Sequence, residues 1–493
     1  MKRVTIFSMN FVFLGSVIVA LSSAALAEEA PTVTIDLQAT AAGRFMGLGV
    51  QWDPYEYPPP ETEWKLTLAR LDFMKPAFFR VMWSATPYCL GFDEAGKPQY
   101  VWELGEAKVQ ERLGPLFAIL DYAQSHGIDV MLGEWNQPKG FLGPQDPRWA
   151  RVIADFVTYL TTRKKYTVIR YYNFFNEPNG NWMWPQGKVD YAAWAAGIRL
   201  LRQEFDAHGL KELPIAGPDN SGNWEWLDRC AQELREQIGF WEMHWYVKDK
   251  ELFDGDIERL LRAKREMLLA TDPQSQAKNL YMGEAGIIQG RVNGDQQPRV
   301  KDYDYGVLMA DFVAQVARAG WMGASAWDLD DAMHVVNGRK HPAIPDDLTL
   351  KIWGFWNTRG RAMGHPEDEA IRPWFYTWSL MSRLFPKGSR VAAVKEEGFP
   401  AGLRTVASSD ADGVSVMVVN DAGEPRTVAV RIAGWRGKKL VKYDYFEGDR
   451  PVDRDGYPAA QKKKLKADGK GAFRVDLPSR GVVFLRSQGI NGN

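Results

Sequence analysis

The stretch VIRYYNFFNEP, residues 168 to 178, runs from β-branched and aromatic residues straight into Asn176-Glu177-Pro178. An apolar run that stops at one carboxylate, with Pro-Asn-Gly immediately after it, reads as a strand delivering an acid to the rim of a sheet. The same texture recurs on both sides. Further candidate strands are FMGLGVQW (45 to 52), AFFRVMW (77 to 83), IDVMLGEW (128 to 135), LPIAGP (213 to 218), GFWEMHWY (239 to 246), NLYMGE (279 to 284) and MGASAW (322 to 327). Segments 106 to 125, 147 to 163, 190 to 208, 255 to 270, 302 to 319 and 370 to 385 repeat apolar residues at helical spacing. Eight alternations predict an α/β fold, a (β/α)8 TIM barrel in which the opening stretch is strand four. A doubly wound open sheet is the alternative, but no Gly-rich phosphate fingerprint follows any early strand.

After Pro386 the texture changes to short strand-like runs broken by turn signals such as Asp412-Gly413 and Asp468-Gly469, the pattern of a β-sandwich over residues 386 to 493. The barrel domain is then 28 to 385. TVTIDL (32 to 37) also alternates as a strand, so residues 31 to 38 are expected to pair into the sandwich.

Residues 1 to 27 have the pattern of a cleaved secretory leader: Lys2 and Arg3, an apolar run from about Phe11 to Leu21, then Ala25-Leu26-Ala27. The apolar core is short for a membrane span and Asn10 borders it, which disfavours an anchor helix. A soluble exported protein is expected, periplasmic or secreted, with no membrane partner after cleavage. Without the leader the charge balance moves from 61 cations against 62 anions to 59 against 62. Nothing in that balance calls for a polyanionic partner, and no basic run interleaved with aromatics resembles a nucleic-acid groove. Cys89 and Cys230 are the two cysteines, and their spacing does not decide between a disulfide and two buried thiols.

Barrel enzymes carry their sites at the carboxyl ends of the strands. There the sequence places Arg80 and Trp83 on strand two, Glu134-Trp135-Asn136 on strand three, Asn176-Glu177 on strand four, His244 and Tyr246 on strand six, Glu284 on strand seven, and Trp327-Asp328 on strand eight. Glu177 and Glu284 would face each other across one mouth. Glycosidic bond cleavage requires such a pair: one carboxyl protonates the leaving oxygen while the other attacks the sugar carbon or activates water. Phe174, Phe175 and Trp182 are expected to keep Glu177 protonated, with Arg80 and Tyr246 holding Glu284 ionised. A single Glu at a strand end would more simply be a cap or a surface ion pair; two with matching accessories favour chemistry. His244 shares one strand face with Glu242 and Tyr246, and a polar plug in the barrel is its blander reading.

The chain's 20 tryptophans bear on the same question. Trp52, Trp83, Trp135, Trp182, Trp184, Trp224, Trp226, Trp245 and Trp327 fall at or just after expected strand ends, where indole faces stack on pyranose rings. Trp194, Trp374 and Trp378 sit on helical patterns and read as core. Among other acidic candidates, Glu134 reads as a sugar-hydroxyl ligand, Asp219 has no assigned role, and Asp328, Asp330 and Asp331 read as a solvated loop in preference to a hydroxyl or Ca²⁺ site. Six histidines include no His-x-x-x-His pair, so neither a catalytic metal nor a cofactor is expected.

On Arg80, Asn176-Glu177-Pro178, His244-Trp245-Tyr246, Gly283-Glu284 and Trp327, over residues 44 to 385, the sequence resembles the retaining glycoside hydrolases of clan A. Its layout is nearest to families 39, 30 and 51. The resemblance implies Glu177 as general acid/base, Glu284 as nucleophile, Asn176 as donor to the sugar 2-hydroxyl and Tyr246 as support for the nucleophile. Trp135, Asn136, Trp182, Trp327, Arg80, His244 and Glu134 complete the expected substrate-binding set. Many clan members carry a His at strand three, where this chain has Glu134-Trp135-Asn136-Gln137. The expected activity is hydrolysis of O-glycosidic bonds in an oligosaccharide or polysaccharide. The rivals are a non-catalytic carbohydrate-binding barrel, a transglycosylase and a metal-dependent barrel hydrolase.

Overall fold

The computed structural model describes residues 30–54, 61–135, 140, 141, 143–180, 184, 188–292, 295–331, 351–361 and 363–490. The leader (1 to 27), Asn136 and Trp182 lie outside the described residues.

Eight parallel strands close into a barrel. In chain order they are Gly49–Gln51, Phe78–Trp83, Asp129–Glu134, Ile169–Asn173, Ile215–Ser221, Ile238–Val247, Asn279–Ile287 and Ala324–Ala326. Each expected strand is present, and strand four is indeed the fourth. The first is shorter than expected because Trp52 leaves the barrel wall. It is fully buried against Trp64 (5.3 Å), Phe79 (5.4 Å) and Tyr122 (5.9 Å).

The barrel floor is sealed by Met46, Phe78, Met131, Ala216, Phe240 and Tyr281, the inward residues near the amino ends of the strands. Helices Glu106–His126, Pro147–Thr158, Tyr191–Ala207, Asp256–Thr271, Tyr303–Arg318 and Pro373–Leu384 cover the outside. Asp146 caps Pro147–Thr158 by accepting from Arg148 N, and Asp190 caps Tyr191–Ala207 by accepting from Ala193 N.

Strand Thr32–Arg44 lies outside the barrel. It pairs antiparallel with Arg390–Glu397 and parallel with Arg426–Ala433 in a nine-stranded sheet with the C-terminal strands. This sheet buries both faces, and the period of two shows how. Val416, Val418, Val483 and Leu485 pack on Val428, Val430 and Phe473 inside the sandwich, whereas Met417, Val419, Val482 and Phe484 belong to the core shared with the barrel. Arg404 ties the two layers by donating from Nη1 to Asp311 Oδ2 at 2.6 Å, and Tyr303 OH donates to Tyr445 O at 2.9 Å. Cys89 and Cys230 are both free thiols. No helix among the described residues is long and apolar enough to cross a membrane.

Candidate active site

Strand four ends at Asn173, and the chain turns before Glu177 through Phe174, Phe175 and Asn176. Three contacts fix that turn. Asn176 N donates to Glu134 O (2.9 Å), Gly180 N donates to Glu177 O (2.8 Å), and Trp184 Nε1 donates to Pro178 O (2.7 Å). Phe174 presses against helix Tyr191–Ala207 so closely that a Cβ at Gly197 would meet its ring at 2.4 Å. Glu177 consequently holds a left-handed backbone (φ 40°), as does Asp219 at the end of strand five (φ 58°). Non-glycine residues adopt that region at an energetic cost, which the surrounding contacts offset.

Glu284 projects from strand seven, 3% exposed. Its Oε1 accepts from Arg80 Nη1 at 2.6 Å, and its Oε2 accepts from Tyr246 OH at 2.5 Å. Arg80 is itself fully buried. Its Nη2 donates to Asn176 Oδ1 (2.7 Å) and to both oxygens of Asp219 (3.0 and 3.1 Å), and Nη1 also donates to Gln51 Oε1.

His244, fully buried on strand six, joins the two halves. Nδ1 lies 3.0 Å from Glu177 Oε1 and 3.3 Å from Glu284 Oε2; Nε2 lies 2.7 Å from Asp219 Oδ1 and 3.2 Å from Glu242 Oε1. An ionised carboxylate only accepts, so with Glu284 Oε2 at Nδ1 and Asp219 Oδ1 at Nε2 both ionised, the ring must donate from both nitrogens as an imidazolium. The nearest oxygens of Glu177 and Glu284 lie within 4.8 Å of each other.

Burial is the largest influence on Glu284 and raises its pKa, with Glu177 adding to the rise; His244, Arg80 and the Tyr246 hydroxyl oppose it. Burial alone would depress His244, but Glu284 and then Asp219 hold it well above the ordinary imidazole value. Asp219 is driven the other way: Arg80 and His244 outweigh its burial and keep it ionised.

Several expectations need correction. Arg80 and His244 are not open to a sugar; they are the buried cations that hold the carboxyls. Glu134 is not a sugar ligand either. At 1% exposure, its Oε1 accepts from Tyr88 OH (2.6 Å) and Tyr172 OH (3.3 Å), and burial raises its pKa to about 7 despite both donors. Glu177 is held by His244, while Phe174 and Phe175 pack against Trp149 (4.7 and 5.5 Å).

Asp328, Asp330 and Asp331 are fully buried, so the solvated-loop reading fails. Asp331 accepts from Arg372 and from the amides of Trp353 and Gly354, and Asp330 accepts from Thr358 N, which fastens the returning chain to the rim of strand eight. Of the tryptophans, Trp52, Trp226 and Trp245 are packing residues. Trp226 lies against Tyr191 and Trp194 (4.8 and 5.4 Å), and Trp245 against Trp224 (5.1 Å). Half-buried Trp135 and buried Trp327 do meet, edge to face at 6.0 Å.

Sequence reasoning left Asp219 without a role and gave Glu242 none, yet both complete the buried network. The spacing of Glu177, His244 and Glu284, and of Asp219, Glu242 and His244, would suit a cation. However, His244 and Arg80 already supply positive charge between these carboxyls, so the donor set reads as a self-compensated ionic network.

No family model and no curated protein sequence matches this chain. Solved structures match it over nearly its whole length. A monomeric beta-xylosidase from Caulobacter crescentus CB15 is 17% identical (TM-score 0.61), covering 93% of this chain and 99% of its own. A family 30 endoxylanase from Clostridium papyrosolvens C71 is 12% identical (TM-score 0.63; 93% and 100%). An alpha-L-arabinofuranosidase from Thermotoga maritima is 14% identical (TM-score 0.65; 92% and 99%). At these identities the likeness establishes the fold, a barrel with an attached β-sheet domain, and that fold is the one on which these glycoside hydrolases are built.

Proposed function

We propose that the chain is an exported retaining glycoside hydrolase in which Glu177 is the general acid/base and Glu284 the nucleophile. One observation carries the reading: the two carboxyls come from strands four and seven, with their nearest oxygens within 4.8 Å. That bound on the nearest oxygens accords with the roughly 5 to 5.5 Å between the carboxyls of retaining enzymes and falls short of the roughly 6.5 to 9.5 Å at which inverting enzymes seat a water.

In the first step Glu177 gives its proton to the leaving glycosidic oxygen while a Glu284 oxygen attacks the anomeric carbon, forming a glycosyl ester. In the second, Glu177, now a carboxylate, takes a proton from water, whose oxygen displaces Glu284 and restores the original anomeric configuration. Arg80 and Tyr246 hold one Glu284 oxygen each, which fixes the attacking carboxylate in place. Asn176, its Oδ1 committed to Arg80, keeps Nδ2 to donate to the sugar 2-hydroxyl. Half-buried Trp135, backed edge to face by Trp327, offers indole surface for a ring.

The substrate class is an oligosaccharide or polysaccharide. Because the similar structures include a xylosidase, an endoxylanase and an arabinofuranosidase, xylosides and arabinofuranosides lead the list, followed by glucosides and galactosides. An aryl-glycoside and polysaccharide panel tests the proposal. The protein should turn over at least one member, and Glu177→Gln should lose about 10²- to 10⁴-fold in kcat/KM on substrates with poor leaving groups. Unchanged turnover in Glu177→Gln would reject the assigned acid. No turnover in the unaltered protein with sugar binding intact would favour a carbohydrate-binding barrel.

A further inference from the structure

Glu242 lies on strand six, fully buried beside His244, and the two-step reaction gives it no task. Its carboxyl fills a notch in strand seven. A Cβ at Gly283 would fall 1.6 Å from Glu242 Oε1, so the glycine preceding Glu284 is what makes room for it. Oε1 stands 3.2 Å from His244 Nε2, and donor atoms of Asp219, Glu242 and His244 all lie within 4.8 Å of one another. Neither Glu242 oxygen accepts a well-aligned hydrogen bond from any described residue. An ionised carboxylate there would be a desolvated charge with no good donor.

The groups around it restrict its charge. Facing Glu242 are His244 on its own strand, Asp219 on strand five, the Tyr281 hydroxyl on strand seven and Arg80 on strand two, while Glu284 meets the far nitrogen of His244. In direct contact with Arg80 or His244 stand four carboxyls, those of Glu177, Asp219, Glu242 and Glu284, against the two cations; Asp53 acts on Arg80 from outside that contact.

We propose that Glu242 is a positioning residue that keeps its proton through the whole catalytic cycle and directs it to Asp219, which leaves the imidazolium charge of His244 to Asp219 and the two catalytic carboxyls. The charges then balance at each stage. In the resting site Asp219 and Glu284 are negative, Arg80 and His244 are positive, and Glu177 and Glu242 each hold a proton. When Glu177 protonates the leaving oxygen and Glu284 becomes an ester, one negative charge passes from Glu284 to Glu177 and the total stays at zero. Hydrolysis of the ester reverses the transfer. Loss of the Glu242 proton would leave the buried network one negative charge in excess in both states. The same physics lifts Glu242: burial first, then the negative charge of Asp219, push its pKa up to about 8 against the pull of His244.

The charge movements rest on the proposed hydrolase reading, whereas the proton is read without turnover, so the two fail separately. The experiment is infrared difference spectroscopy on Glu177→Gln against the same protein with Glu242→Gln added. At about pH 6.5, above the ordinary carboxyl range, Glu177→Gln should show one protonated-carboxyl C=O band that the double variant lacks. That band should bleach as pH passes about 8. Identical spectra overturn the proposal. The unaltered protein, labelled with nitrogen-15 histidine, supplies a reading that does not depend on the double variant folding. One of the six imidazoles should remain doubly protonated at about pH 8, well past the ordinary imidazole value of about 6.5; six neutral rings there would also overturn it.

Discussion

His244 Nδ1 stands 3.0 Å from Glu177 Oε1 and 3.3 Å from Glu284 Oε2, and the same ring reaches Asp219 through Nε2 at 2.7 Å. A single imidazolium thus ties strand four to strand five and sits between the two carboxyls that would do the chemistry.

His244→Ala should accordingly damage stability as well as rate. Removing one partner of a buried ionic network typically costs about 3 to 5 kcal/mol, because the remaining charges stay desolvated. Denaturant unfolding checks this. The pH dependence has a definite sign: His244 has a raised folded pKa, so its stabilisation is complete below its unfolded value of about 6.5 and fades as pH rises through the folded one. The variant should lack that fading.

Tyr246→Phe removes the hydroxyl that donates to Glu284 Oε2 and lowers its pKa. The nucleophile must be ionised to attack, and burial already places Glu284 above an ordinary Glu. Losing the donor raises it further, so the acid limb of the pH–rate profile should move to higher pH. A hydrogen bond to a charged group is worth about 1.5 to 3 kcal/mol, which corresponds to roughly a 10- to 100-fold loss in rate. A pH series of kcat/KM reads both effects.

Glu134 offers a contrast, since it is buried and held by Tyr88 and Tyr172 with a pKa of about 7. A carboxyl raised on folding stabilises below its unfolded pKa and loses that contribution as pH rises through the folded one. Between about pH 4.5 and 7 the chain should lose on the order of 3 kcal/mol through this group. Glu134→Gln should flatten that part of the stability curve in thermal melts while leaving turnover largely intact.

Gly283→Ala places a Cβ on the Glu242 carboxyl at 1.6 Å. Overpacking of this kind costs about 1 to 3 kcal/mol when the neighbour can shift. Because the neighbour lies behind Glu284, a lower melting temperature should come with a fall in kcat.

The barrel was legible because each strand is a short apolar run bounded by turn residues, and the run 168 to 178 showed where one of them ends. Alternation also marked 32 to 37 as a strand, and its place in the sheet follows from pairing with Arg390–Glu397. The catalytic candidates were legible as strand-end carboxylates. Their environment was not, because it is made by groups that meet only across the closed barrel: Asp219 from strand five, Arg80 from strand two, His244 and Glu242 from strand six. The tryptophan argument failed at Trp245 for a reason the sequence contained. Glu242, His244 and Tyr246 point inward, so Trp241, Met243 and Trp245 must face the helices. At Asp328 to Asp331 no local pattern announced burial, because Arg372 and the amides that compensate Asp331 arrive from a segment about 20 to 40 residues later in the chain.

The central claim is a double displacement in which Glu284 is glycosylated and Glu177 serves both steps. Proton NMR of the first-formed sugar, recorded before mutarotation on the best substrate of the panel, tests it most directly. The account predicts an initial product with the anomeric configuration of the substrate; an initial product of inverted configuration would contradict it.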